Sequence, residues 1–183
     1  MKFQSQLNRW GCSAAAAAMA MDITVPDIIS LIGHDGSEVI YPDLPEPMCR
    51  AGFDIQEIID VALQTGWSVT PIEACPSVTP DGKNIRDLFS EDKIKTRMNK
   101  YFDGFSGIVS GQRLDQKWWH LVAWDHKSQM WLDPSGPQLI RDQPPIKVAV
   151  FWIFMKNEHY MAKVFLDSLI NRPLKNLGPP SFS

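Results

Sequence analysis

The feature that most constrains this chain is a change in its hydrophobic period. Up to Gly66 apolar residues recur at helical spacing, and from Gly107 onward they recur at strand spacing. Ser13 to Met21 contains the run Ala14 to Ala18, with neither Pro nor Gly, and reads as a helix on propensity alone. A short helix over Pro26 to Ile32 follows, with Pro in its first turn and Gly33 as its stop. Asp54 and Glu57 form a capping-box pattern ahead of Ile55, Ile58, Ile59, Ala62 and Leu63, and Gly66 closes that helix. Gly36, Pro42, Pro45 and Pro47 make His34 to Gly52 a loop. Trp67 to Ile72 reads as a strand, and Asn84 to Phe102 suits one or two surface helices. Strands are then expected over Gly107 to Ser110, Trp118 to Trp124, Met130 to Asp133 and Val148 to Met155. Helices first and an antiparallel sheet second imply an α+β fold.

The chain has 183 residues, 44% hydrophobic and 21% charged, and no internal repeat, which suits one domain with an ample core. Eighteen basic residues against 21 acidic ones give a net charge of -3, without any run of Lys or Arg. A nucleic-acid partner needs a basic face, so none is expected. No apolar stretch reaches the roughly 18 to 20 residues of a membrane span. Lys2 and Arg9 ahead of the alanine run, with Ala18-Met19-Ala20, imitate a secretory leader; polar Gln4, Ser5, Gln6 and Asn8 argue against one. Cys12, Cys49 and Cys75 are an odd set with no Cys-x-x-Cys pair, pointing to free thiols in a reducing compartment. A cytoplasmic location is expected, with incorporation into a larger particle or secretion without a classical signal left open. His34 and His159 have no spaced partners, so neither a metal nor another cofactor is expected.

A thiol nucleophile needs a lowered pKa, a base, an orienter for the base, and donors for an oxyanion. Cys12 has candidates for each. It falls at a helix N-terminus, where partial positive charge favours thiolate. Gln6, on the incoming loop, can fold back so that its amide and the Cys12 backbone N–H form an oxyanion hole. His120 is the candidate base. If the following hairpin is symmetric about His126-Lys127, Asp133 stands directly opposite His120 on the same face, as an orienter would. Asp125 is the rival orienter, expected to be solvated at the hairpin tip. Each residue also has a plain structural role: Cys12 as a small buried hydrophobe, His120 as a core histidine, Asp133-Pro134 as a turn opener. Trp118 and Trp119 flank the base and, with Trp10, are candidate walls of a substrate groove, although seven tryptophans in such a chain belong mostly to a core. Cys49 and Cys75 read as structural, and the alanine run as close helix packing.

The string Gln6-Leu7-Asn8-Arg9-Trp10-Gly11-Cys12-Ser13-Ala14-Ala15, the distant His120, and Trp131-Leu132-Asp133-Pro134-Ser135-Gly136 resemble a papain-like cysteine peptidase. The branch most similar is that of the bacteriocin-leader (double-glycine) processing peptidases and their stand-alone relatives. The resemblance covers residues 1–155 and implies N-terminal helices, the first carrying the cysteine, packed on a C-terminal antiparallel sheet carrying the histidine and aspartate. It implies Cys12 as nucleophile, His120 as general base and acid, Asp133 as orienter and Gln6 as oxyanion donor. That branch commonly has Asp before and Gly after its cysteine, whereas this chain has Gly11 and Ser13, which bears on substrate preference more than on reactivity.

The expected function is hydrolysis of a peptide or amide bond in a peptide or protein substrate through a Cys12 thioester. Deamidation, acyl transfer and cleavage of cell-wall peptides use the same constellation. A different class of reading makes the chain an interaction or assembly component that docks a protein partner through residues 156–183. Within that extension Tyr160, Val164, Phe165 and Leu169 can form an apolar stripe on a helix over Asn157 to Ile170, ahead of a poorly ordered Pro-containing tail.

Overall fold

The computed structural model describes residues 1–46, 48–73, 104–113, 118–136, 139–140 and 146–157, with Thr96, Asn99 and Lys100 besides. The first helix, α1 (Cys12–Met21), begins one residue earlier than Ser13. Its alanines Ala14 to Ala18 are 0% exposed, and Ser13, Met19, Ala20 and Met21 are buried with them. A helix apolar on every side belongs inside a core. Side chains this small let α1 press against α2 (Val25–Ile32), α3 (Ile55–Gln64) and the sheet at once.

Capping residues set the starts of the outer helices. Thr24 caps α2 in a reciprocal box with Asp27, a signal the sequence reading passed over. Asp54 and Glu57 form the expected box on α3. The loop over 34–52 is tied across its base by a single bridge between Val39 and Arg50, and it buries Cys49.

Among the described residues the sheet has six strands, all paired antiparallel: β1 (Trp67–Glu73), β2 (Gly107–Arg113), β3 (Trp119–Asp125), β4 (Met130–Leu132), β5 (Leu139–Ile140) and β6 (Ile146–Lys156), in the order β1-β6-β2-β3-β4-β5. The α+β expectation therefore holds, with two amendments. The strand before the long connection returns to the sheet as an edge, and β5 had no sequence signal. Ile108, Ala123, Leu132 and Phe154 face the helices, whereas Val109, Val122, Trp131 and Phe151 pack on the other side. This is the alternation a strand imposes.

A bulge interrupts it in β6. Ser110 pairs with Val150 but Gly111 pairs with Val148, so Ala149 is the extra residue. One extra residue reverses the side-chain parity, which is why Ile146 and Val148 share a face with Phe151 and Ile153. The bulge also brings β6 so close that a Cβ on Gly111 would lie 2.1 Å from the Lys147 carbonyl oxygen. Only glycine fits there.

The hairpin axis differs from the sequence expectation. The turn has four residues, His126 to Gln129, and β3 and β4 pair Ala123 with Leu132, Trp124 with Trp131 and Asp125 with Met130. Continuing that register sets His120 opposite Ser135, not Asp133. Asp125 is not a solvated tip residue either. It ends β3 and is buried, accepting from the Lys127 backbone N–H at 3.2 Å and the Ser128 hydroxyl at 2.8 Å, with the Met1 amino group at 3.4 Å.

No single described helix is long and apolar enough to cross a membrane. The helices expected over Asn84 to Phe102 (apart from Thr96, Asn99 and Lys100), Cys75, His159 and the extension beyond Asn157 lie outside the described residues.

Candidate active site

Asn8 shapes the approach to α1. Its side-chain oxygen accepts the Trp10 backbone N–H at 2.9 Å and its carbonyl accepts the Gly11 N–H at 3.2 Å, so the chain turns sharply just before Cys12. Gly11 is the N-cap and supplies no side-chain cap. The first-turn amides beside Cys12 are therefore not met by a capping side chain, leaving the positive end of the helix for another acceptor. The Cys12 thiol is half-buried and hydrogen-bonds to His120.

His120 and Asp133 meet although they are not directly opposite. The register is displaced by two residues from the expected one, and an even shift preserves which face a side chain occupies. They are diagonal neighbours, close enough for His120 Nε2 to lie 2.7 Å from Asp133 Oδ1. That bond leaves Nδ1 as the ring nitrogen for Cys12. The imidazole is 4% exposed and the carboxylate residue 6%.

Ser135, whose hydroxyl oxygen lies 3.5 Å from His120 Nε2, was absent from the sequence candidates. Its backbone N–H and its hydroxyl both donate to Asp133 Oδ1, at 2.9 and 2.7 Å. Arg113 Nη1 in turn donates to the Ser135 hydroxyl oxygen at 2.8 Å, directing the one hydroxyl proton toward Asp133. The signal was the string Asp-Pro-Ser-Gly, which builds an Asx turn that closes its own carboxylate. Gly136 N–H completes the turn on the Asp133 carbonyl at 3.2 Å.

These contacts determine the charge states. Burial alone pushes the His120 ring toward neutrality, but hydrogen bonds to Asp133 and Cys12, together with their negative charge, pull its pKa up to about 9. Burial likewise raises Asp133, but the bonds from His120 and from the Ser135 amide and hydroxyl overcome it and hold the carboxyl at about 2. Around neutral pH the pair is imidazolium and carboxylate.

Gln6 is tied to the same turn, since its backbone N–H donates to the Pro134 carbonyl at 3.0 Å. Its side chain lines the same cleft as Cys12, and its Oε1 is buried with no hydrogen-bond partner. The cleft has a volume of about 700 Å³. One wall comes from Arg9, Trp10 and the loop residues Met48 and Arg50; the other from Arg113, Trp118, Trp119 and Ser135. Trp118 is 41% exposed and Trp119 56%, so the aromatic candidates, Trp10 included, do line a groove. All four catalytic candidates, Cys12, His120, Asp133 and Gln6, thus converge at one end of α1, three of them joined by hydrogen bonds.

Among the described residues no three His, Cys, Asp or Glu side chains come together as a metal site would require. No family model matches this chain, and no curated protein matches it.

Proposed function

We propose that this chain is a papain-like thiol hydrolase that cleaves a peptide or amide bond through an acyl-Cys12 intermediate. The observation that carries the reading is the continuous chain from Cys12 through His120 to Asp133, opening onto a cleft at an uncapped helix N-terminus. In this reading the catalytic unit spans residues 1–155 and the remaining residues are an extension.

The Cys12 sulfur, as thiolate, attacks the carbonyl carbon, forming a C–S bond while the carbonyl π pair moves onto oxygen. The oxyanion is met by the Cys12 backbone N–H and the Gln6 side-chain amide, donors whose worth rises as charge develops. His120 gives its Nδ1 proton to the departing nitrogen as the C–N bond breaks, leaving the thioester. Water then attacks the thioester with His120 taking its proton, the C–S bond breaks, and thiolate and imidazolium return. Asp133 stays ionised throughout and keeps Nε2–H engaged, so that Nδ1 faces the sulfur.

Two details support this assignment of roles. The Gln6 side chain lines the cleft, and its amide NH2 is the end that can donate to a developing oxyanion. Cys49, by contrast, is buried in the 34–52 loop.

The test is alkylation of the folded protein with iodoacetamide near neutral pH, followed by mass mapping. Cys12 is expected to label at least ~10²-fold faster than Cys49 or Cys75, as a thiolate beside an imidazolium should. Equal rates for the three thiols would overturn the hydrolase reading and leave the chain as an interaction component.

A further inference from the structure

The described lining of the cleft carries basic side chains and no acidic one, in a chain whose net charge is -3. Arg9, Arg50, Arg113 and His120 line it, and among the described residues no Asp or Glu does. Glu46, outside the lining, pairs with Arg9 at 3.0 Å and with Arg50 at 3.4 Å. One carboxylate between two guanidiniums leaves a positive charge over. The two cations also flank one ring: their Cζ atoms lie 4.4 Å and 5.3 Å from the centroid of Trp10. That contact holds both against the wall next to Cys12. Arg50 is further anchored by a hydrogen bond to the Ser37 carbonyl, whereas the Arg9 side chain, though paired with Glu46, is 59% exposed. A concave lining of one sign with aromatic walls focuses the field and enriches ligands of the opposite charge.

We infer that the cleft selects peptide segments carrying Asp or Glu beside the bond presented to Cys12, with the Arg9–Arg50 wall reading the carboxylate. The inference rests on the reading of the cleft as a peptide site. A guanidinium meets a carboxylate with two parallel N–H donors, which gives orientation as well as attraction. A Lys or Arg presented to the same wall meets two guanidiniums against the one Glu46 carboxylate, so selection works by net repulsion as well as by fit.

The test uses the full chain carrying Cys12→Ala, so that binding is read without turnover. Two fluorescein-labelled peptides differ only in having Glu where the other has Lys around a common centre, and fluorescence anisotropy is measured at low and at physiological salt. The Glu peptide is expected to bind roughly five- to tenfold more tightly at low salt, with a smaller preference at physiological salt. Arg9→Glu in the same background is expected to abolish or reverse that preference, with an unchanged melting temperature because Arg9 is exposed. Equal affinities, no binding of either peptide, or a preference untouched by Arg9→Glu would each overturn the inference. If the preference holds and Cys12 in the unsubstituted chain alkylates no faster than Cys49, the cleft is an acidic-peptide receptor and only the hydrolase reading fails.

Discussion

Helix α1 and the β3–β4 hairpin deliver their candidate catalytic groups to the same point by opposite means. Cys12 sits on a helix with no side-chain cap, surrounded by alanines that are 0% exposed. Its helix is held chiefly by close packing. His120 and Asp133 stand on a hairpin whose end is fastened by polar contacts: three donors converge on one carboxylate oxygen, and a guanidinium fixes the hydroxyl behind it. Packing is unforgiving of volume but indifferent to pH. A polar network tolerates small changes of volume and fails when a proton or donor is lost.

The harshest way to break this contrast is to enlarge the helix. Ala16→Leu adds a bulky side chain where there is no exposure at all, and is expected to destabilise the fold by about 3 kcal/mol or more, read as urea midpoint. A loss under about 0.5 kcal/mol would mean that α1 is not held by packing. On the polar side, His120→Ala is expected to slow Cys12 alkylation by roughly 10²-fold near neutral pH, because the cation beside the sulfur is gone. Retention of the full rate would assign the reactivity to the helix terminus instead.

The pH response sharpens the comparison further. His120 is raised above its ordinary 6.5 to about 9, so the stability it contributes is complete below 6.5 and is lost as pH rises through about 9. Asp133 is lowered from 3.8 to about 2, so its contribution is complete above 3.8 and is lost as pH falls through about 2. The melting-temperature gap between the native chain and Asp133→Asn is therefore expected to be widest between about pH 4 and 6.5 and to narrow toward pH 9. By NMR the His120 ring is expected to titrate near 9, and nearer 6.5 in Asp133→Asn. A gap that stays constant across that range would show the pair to be uncharged. The smallest effect is expected from Ser135→Ala, which removes one of three donors and costs about 1 kcal/mol, with Ser135→Thr restoring it because the hydroxyl remains. If the threonine failed to rescue, Ser135 would matter for shape rather than for its proton.

Much of the architecture was legible before the structure. The Asp54–Glu57 box, the alanine run and the strand period after Gly107 are local signals, and local signals survive into the fold. The hairpin shows where such reading stops. A turn centred on His126-Lys127 lies one residue too early, yet His120 and Asp133 still share a face, because the resulting register displacement is even and side-chain direction has period two. An odd displacement would have separated them. Asp125 was misjudged for the same reason, since a turn moved by one residue makes a tip residue into a strand residue. Ser135 is legible locally through the Asp-Pro-Ser-Gly turn, whereas the Arg113 guanidinium that fixes its hydroxyl lies 22 residues away in sequence.

The sequence by itself determined what its short-range chemistry dictates: that the three described helices form and, to within a residue, where they run, which strands alternate, and that a thiol would stand at a helix terminus. Only the tertiary structure decided the rest. The bulge at Ala149 that forces glycine at position 111, the hairpin register that brings Ser135 to His120, and the approach of Arg50 to Arg9 and Trp10 each depend on residues distant in the chain. Such contacts are chosen by how whole elements fill space against one another, and no spacing within a single segment encodes that.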